Sequence, residues 1–351
     1  MTATPEFQIG DRWVGGDHEV YLIAEAGANH NRDKGVAREL IEVAAAAGAD
    51  AVKFQTYSGA RLYSSKTPQF EYLKGVTDRS PSDYLEDISL PREWQGELAE
   101  HARGLGLHFF STPFDHDAVA ELAALNVPVF KVASFEIVDL PLIRRIGEEG
   151  LPVLLSTGMA VMGEIEEALQ TAREAGAPAV GLMQCTSLYP APPEQANLAA
   201  METMRRAFGV PVGLSDHTLG TAVPIAAAAL GAAFIEKHFT LDRSMPGPDH
   251  PHALEPDELN EMVEGVRTAR AALGDGIKHG PSAEESAEMY TLARRSLIVT
   301  RPLPAGTVLE ANMLTVKRPG FGIPPKYMEL VIGRALTREA DADDILTWDM
   351  I

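Results

Sequence analysis

Eight short apolar runs, each followed by an amphipathic stretch, set the tightest limit on what this chain can fold into. The runs are Val20–Ala26, Ala51–Thr56, Leu107–Thr112, Pro128–Ala133, Pro152–Thr157, Ala179–Cys185, Val210–Ser215 and Ala232–His238. Between them lie Ala-, Leu- and Glu-rich stretches such as Asp33–Ala47, Pro91–Leu105, Glu164–Ala175 and Pro193–Phe208. Gly48-Ala49-Asp50 and Gly106 read as helix stops before the next strand. Strand–helix units repeated in this rhythm over about 270 residues suit a closed (β/α)8 TIM barrel of the α/β class. An open doubly wound sheet is the rival, but no Gly-x-Gly-x-x-Gly follows the first strand, which lowers a dinucleotide-binding reading.

The rhythm changes after Leu273. Gly274 to Ala287 is rich in Gly, Pro, Ser and Glu and reads as part of a linker. Beyond it come short β-like pieces, Ser296–Thr300 and Leu314–Lys317, separated by Pro-Ala-Gly and Pro-Gly turns. The expected organisation is a barrel over 1–273, a linker over 274–291 and a small β-rich domain over 292–351. Hydrophobic residues at 45% and charged residues at 23% describe a soluble globular chain. No apolar run approaches the ~18 residues of a membrane span, and the polar stretch Met1–Gly10 lacks the core of a signal peptide. A net charge of −20 argues against non-specific nucleic-acid binding. Cys185 is the only cysteine, so a disulfide within the chain is impossible and a cytoplasmic location fits.

In a barrel, chemistry gathers at the C-terminal ends of the strands. Read in order, those ends offer Glu25; Lys53 and Gln55; Thr112; Lys131, Ser134 and Glu136; Ser156; Ser187 and Tyr189; Ser215 and His217; and His238. Any one of these has an ordinary explanation, since strands end in polar loops. Lys53 and Lys131 stand out because each interrupts an apolar strand. A buried lysine is costly unless an anion or a carboxylate meets it, and two of them suggest a phosphate or carboxylate ligand. His217 and His238 end neighbouring strands, about 4.8 Å apart in a sheet, so both can reach one ion. A pair of hydrogen-bonded structural histidines is the plain alternative. Cys185 has no evident base beside it and reads as a buried inert thiol.

The motifs around these residues resemble the N-acetylneuraminate (sialic acid) synthase family, which includes legionaminate, pseudaminate and spore-coat-polysaccharide synthases. The resemblance is carried by Ala24-Glu-Ala-Gly-Ala-Asn-His-Asn31, Lys53-Phe-Gln-Thr56, Phe110-Ser-Thr-Pro-Phe114, Lys131-Val-Ala-Ser134, Ser156-Thr-Gly-Met159, Cys185-Thr-Ser-Leu-Tyr-Pro190, Gly213-Leu-Ser-Asp-His-Thr218, Glu236-Lys-His-Phe-Thr240 and Gly247-Pro-Asp-His250. The tail from Arg294 resembles the family's SAF (antifreeze-like) domain. The resemblance implies a barrel enzyme that condenses phosphoenolpyruvate with an N-acylated hexose, and with water releases phosphate. It implies a divalent metal, manganese ahead of magnesium or cobalt, on His217 and His238. Lys53, Thr112, Lys131, Ser134, Ser156 and Ser215 match positions around phosphoenolpyruvate. Glu25, Asp249 and Glu136 match catalytic positions. Gln55, Ser187 and Tyr189 match sugar-facing ones. Ser187 stands where several sialic acid synthases have Asn. The resemblance also implies a domain-swapped homodimer in which Arg318 of one chain reaches the other chain's sugar. Two readings outside this class are a Schiff-base aldolase using Lys53 or Lys131, which would need no metal, and an ice-binding or scaffold protein, which would leave the polar barrel mouth without a purpose.

Overall fold

The computed structural model describes residues 5–68 and 78–351; the first four residues of the polar N-terminal stretch lie outside the described residues. An antiparallel hairpin, β1 (Glu6–Ile9) and β2 (Arg12–Gly15), comes first. Eight parallel strands follow: β3 (Tyr21–Gly27), β4 (Ala51–Thr56), β5 (His108–Pro113), β6 (Phe130–Val132), β7 (Val153–Ser156), β8 (Val180–Cys185), β9 (Val212–Asp216) and β10 (Phe234–His238). Each lies within two or three residues of its expected run. Their order is β5-β4-β3-β10-β9-β8-β7-β6. The first and last strands of the cylinder, β3 and β10, pair directly, with Glu25 opposite His238. Neighbours β5 and β6 share no hydrogen-bonded ladder, so the cylinder is closed except at one seam.

The helices obey local rules. Asp33 caps the helix Lys34–Ala46 by accepting from Gly35 and Val36 backbone N–H groups. That helix buries Ala37, Leu40, Ile41 and Ala44, the spacing of one helical face. Gly48 and Gly106 both take left-handed backbone, at φ 79° and 81°, which is why chain reversal occurs there. The stretch read as Pro193–Phe208 breaks into a 3₁₀ turn, Pro193–Gln195, and a shorter helix, Ala200–Phe208. Among the described residues no helix is long and apolar enough to cross a membrane.

Opposite the site lies the N-terminal end of the cylinder. The hairpin covers it, with Phe7 5.9 Å from Phe234 between ring centroids. Asp50, buried just before β4, accepts from Leu22 N at 2.8 Å and faces Arg12 at 2.9 Å and Arg267 at 2.8 Å. One carboxylate thereby joins the hairpin, two strands and the last barrel helix, Pro256–Leu273.

A second compact unit runs from Asp275 to Ile351. It holds an antiparallel pair, β11 (Ser296–Val299) and β12 (Leu314–Lys317), around a core that includes Leu297, Val299, Leu309, Ile323, Val331 and Leu346. The segment read as a linker is not featureless: it carries the short helix Ala283–Ala287, capped by Ser282, and the start of another, Met289–Ala293.

Asp50 should matter for stability alone. Asp50→Ala leaves the buried Leu22 N–H unpaired and releases two partly exposed guanidiniums, and should lower unfolding free energy by about 1–3 kcal/mol in chemical denaturation. A loss below about 1 kcal/mol would mean that both arginines are satisfied by water.

Candidate active site

Strand residues two apart share a face, so β10 sends Glu236 and His238 inward together. Glu236 lies between the two buried lysines. Its Oε1 is 3.6 Å from Lys53 Nζ and 3.9 Å from Lys131 Nζ, and it accepts from Ser215 Oγ at 3.3 Å. Lys53 Nζ also lies 2.7 Å from Glu25 Oε2 and donates to Thr112 Oγ1 at 3.1 Å. Gln55 Nε2 donates to Glu25 Oε1 at 2.9 Å. Lys131 Nζ donates to Ser156 Oγ at 2.6 Å and to the Val132 carbonyl at 3.1 Å. Of the two partners the sequence allows for these lysines, anion or carboxylate, the carboxylates are built into the protein.

The charges of this cluster depend on one another. Burial pushes Glu25 up to about 7, opposed by Lys53 and reinforced by Glu236. Burial would also raise Glu236, but Lys131 and Lys53 outweigh it and hold Glu236 below the usual carboxylate range. Burial would lower Lys53, yet Glu236 and Glu25 keep it above an ordinary lysine. Lys131 is pushed down by burial despite Glu236. Its charged form is therefore the one a neighbouring anion would stabilise most.

A serine shell continues the cluster. Gly158 N donates to Ser134 Oγ at 3.0 Å. A Cβ at Gly158 would lie 2.3 Å from Ser187 Oγ and 2.7 Å from Ser134 Oγ, so only glycine lets the backbone come this close. Met159 follows with φ 64°, a conformation that long side chains rarely adopt and that concentrates at functional loops. Ser187 Oγ is buried without a protein hydrogen bond. So is Oε2 of Glu136, on the turn Ser134–Glu136 after β6. Burial, opposed by Lys131, pushes Glu136 up to about 7. Burial likewise pushes Asp249 up to about 6, opposed by His217. The three carboxyl groups expected to be catalytic thus titrate near neutrality, where proton transfer in both directions is efficient.

Beside this cluster the loop after β10 returns Asp249 and His252 to the mouth. One ligand atom from each of His238, Asp249 and His252 lies within 4.8 Å of the others. His238 Nδ1 is 3.6 Å from Asp249 Oδ2. His238 Nδ1 and His252 Nε2 are buried without protein hydrogen bonds. Burial holds His252 down at about 4 and His238 well below its usual value, so both rings are neutral and keep a lone pair. Two imidazoles and a carboxylate suit a first-row divalent ion, and three protein ligands leave coordination positions open.

The sequence pairs His217 with His238. The ligand-spaced set instead joins His238 to Asp249 and His252, with His217 one ring away at 5.5 Å between centroids. His217 Nδ1 faces the Thr186 carbonyl at 2.8 Å. A carbonyl only accepts, so Nδ1 carries a proton, and Nε2 offers a lone pair when the ring is neutral. Burial would lower His217, but Cys185 and the Thr186 carbonyl outweigh it and hold the ring above its usual value, so a metal ion at Nε2 would have to displace a proton. Tyr189 packs over the group, 4.2 Å from the His217 ring and 5.4 Å from His252. Cys185 Sγ is buried, 3.8 Å from His217 Nδ1.

The structure therefore gathers Glu25, Lys53, Gln55, Thr112, Lys131, Ser156 and Ser215 into one network. It places Ser134, Glu136 and Ser187 near it, and His217, His238, Asp249 and Tyr189 beside it. Arg318 belongs to the second unit. There it is exposed, with no side-chain hydrogen bond or ion pair among the described residues. Two residues absent from the sequence-based site are central, Glu236 and His252. Glu236 was signalled by period two, since it precedes His238 by two positions on a strand. His252 was signalled by His250-Pro-His252.

The direction of the Glu136 shift fixes a pH dependence. Its carboxyl rises from 4.5 to about 7 on folding, so the native state binds the proton more tightly. The stability this contributes is complete below pH 4.5 and is lost as pH rises through about 7. Glu136→Gln, always neutral, should match wild type near pH 4.5 and exceed it at pH 8 by about 1–3 kcal/mol in denaturant titrations. An equal stability difference at both pH values would contradict the shift.

Comparison with known proteins places this geometry. Residues 40–278 match the NeuB family and residues 294–351 match the SAF domain. An N,N'-diacetyllegionaminic acid synthase from Campylobacter jejuni is 40% identical over 329 residues, covering 93% of this chain and 98% of that protein. A pseudaminic acid synthase from Helicobacter pylori is 36% identical over 333 residues, covering 94% and 97%. The crystal structure of an N-acetylneuraminic acid (sialic acid) synthetase from Leptospira borgpetersenii in complex with citrate is similar with a TM-score of 0.73 and 33% identity, over 82% of this chain and 96% of that one. With a family match across more than half its length and relatives aligned over nearly all of theirs, this chain belongs to the NeuB family and carries a SAF domain over residues 294–351.

Proposed function

We propose that this chain condenses phosphoenolpyruvate with an N-acylated hexose, N-acetylmannosamine or a 2,4-diacetamido-6-deoxy sugar, to form a nonulosonic acid and phosphate. The observation that carries this reading is the adjacency of two clusters: a buried, serine-lined pair of lysines and a His–His–Asp group with unsatisfied donor atoms. The relatives named as legionaminic and pseudaminic acid synthases support the product class. In this scheme C3 of phosphoenolpyruvate bonds to the aldehyde carbon of the open-chain sugar. Water adds at C2, and phosphate leaves with cleavage of its C–O bond.

Lys53 and Lys131 bind the anionic groups, and Thr112, Ser134, Ser156 and Ser215 orient them with directional hydrogen bonds. Glu25, fixed by Gln55 and Lys53, holds or releases a proton close to the reacting enol carbon. Glu136 serves the water or the sugar oxygen in the same way. Gln55, Ser187 and Tyr189 line the sugar side. His238, Asp249 and His252, with His217 through Nε2, would hold a divalent ion, manganese first among candidates. When bound there, such an ion supplies Lewis acidity that polarises an aldehyde oxygen. The free buried thiol of Cys185 suits a cytoplasmic enzyme.

The assembly we propose is a homodimer in which the SAF domain of one chain covers the partner's barrel mouth. Large apolar side chains ring that mouth in exposed positions: Phe135, Val138, Met159, Val161, Leu188 and Leu219. Large apolar side chains exposed on successive loops at one end of a barrel suit a contact surface. The free guanidinium of Arg318 suits an amide oxygen of the sugar.

Purified protein should release phosphate from phosphoenolpyruvate only with a matching N-acylated hexose, and should stop after chelation. Release that survives chelation would favour the Schiff-base route. Lys131→Met should raise KM for phosphoenolpyruvate at least tenfold more than KM for the sugar; equal effects would make Lys131 a structural cation.

Subunit mixing checks the assembly. Arg318→Ala and His217→Ala chains, each inactive alone, should regain partial activity when refolded together. No recovery in verified heterodimers would mean that Arg318 acts in its own chain or not at all.

A further inference from the structure

Three ionisable residues follow one another on β10, and the middle one faces away from the mouth. Lys237 is 1% exposed. Its Nζ donates to Asp216 Oδ2 at 2.5 Å and also to the Thr218 carbonyl. Asp216 in turn accepts from Thr218 N at 3.1 Å and from Thr218 Oγ1 at 3.0 Å. One ammonium therefore grips the residues on both sides of His217.

The sheet itself does not do this. The ladder between β9 and β10 ends at the pair Lys237 and Asp216. His238 is still paired on its other side, opposite Glu25. His217 starts one residue past the last strand pairing, with no ladder partner on β10 to set its distance from His238. The side-chain network of Lys237, Asp216 and Thr218 continues the join where the backbone ladder stops. Stability alone is a weak reason to keep such a pair, because apolar residues of the same volume often serve as well. Orientation is a stronger one, since a ligand ring held by outer partners binds a metal better.

We propose that Lys237, with Asp216 and Thr218, is a positioning clamp that holds His217 beside His238 in a metal-ready arrangement. This rests on the reading of the His238, Asp249 and His252 group as a metal site with His217 as a further ligand. Lys237 touches neither substrate nor ion; it acts through the backbone of residues 216–218.

The test is the affinity of the metal-stripped full-length protein for Mn²⁺ alone, from calorimetry or from the electron paramagnetic resonance signal of free Mn²⁺. Melting temperature without metal is recorded alongside. Lys237→Met should weaken Mn²⁺ binding by roughly 10–100-fold. Lys237→Arg, which keeps the charge, should recover part of that loss. Thr218→Val, which removes one donor to Asp216 and keeps the ion pair, should show a smaller loss and covers the case in which Lys237→Met does not fold. His238→Ala is the reference and should abolish binding. If His238→Ala loses binding while the Lys237 and Thr218 variants keep wild-type affinity, the clamp is overturned, even if their melting temperatures fall. If His238→Ala binds Mn²⁺ like wild type, the metal reading fails and the clamp with it.

Discussion

The carboxylate of Glu236, buried between Lys53 and Lys131, is the interaction around which the barrel mouth is organised. Two ammoniums inside a protein repel each other and each loses its hydration, a combination that persists only with negative charge at hand. Glu236 supplies that charge to both lysines, and Glu25, 2.7 Å from Lys53, supplies a second share although burial pushes its carboxyl upward. The result is a cluster whose cations are tolerated in the resting protein and can still answer an arriving anion. Lys131, lowered by burial, has the most to gain from one.

The two ends of the cylinder divide the work. At the N-terminal end, Asp50 and its arginines join the hairpin, the sheet and the last helix, and the groups there are fully paired. At the C-terminal end several buried atoms lack protein partners, among them Glu136 Oε2, Ser187 Oγ, His238 Nδ1 and His252 Nε2. Unsatisfied buried polar atoms are rare in folded proteins and need a reason. Their convergence at one mouth, beside glycine-dependent backbone at Gly158, is the pattern of a site built for ligands rather than for stability.

Much of this was legible in the sequence, and the parts that were not have physical causes. The barrel strands could be read because continuous apolar runs separated by helical periodicity have few other solutions; even β6, three residues long, was marked by its apolar flanks. The hairpin was missed because Glu6-Phe7-Gln8-Ile9 alternates and so reads as polar overall, although Gly10-Asp11 is a hairpin turn signal. Lys53 and Lys131 were conspicuous because charge inside an apolar strand is costly. Glu236 is equally anomalous, but in Glu236-Lys-His238 it sits among other polar residues and loses that contrast. His252 could not be placed because it depends on how a loop folds back over the mouth, which no periodicity encodes. The geometry of His217 depends in turn on where a ladder ends, and strand boundaries are the least legible part of any sequence.

A divalent ion and phosphoenolpyruvate should occupy neighbouring positions in the barrel mouth. Diffraction at the manganese edge from crystals soaked with Mn²⁺ and phosphoenolpyruvate would show both at once. It should give an anomalous peak at ligand distance from His238 and Asp249, with the oxygens of phosphoenolpyruvate against Lys53 and Lys131. An anomalous peak away from these side chains, or phosphoenolpyruvate bound clear of both lysines, would contradict it.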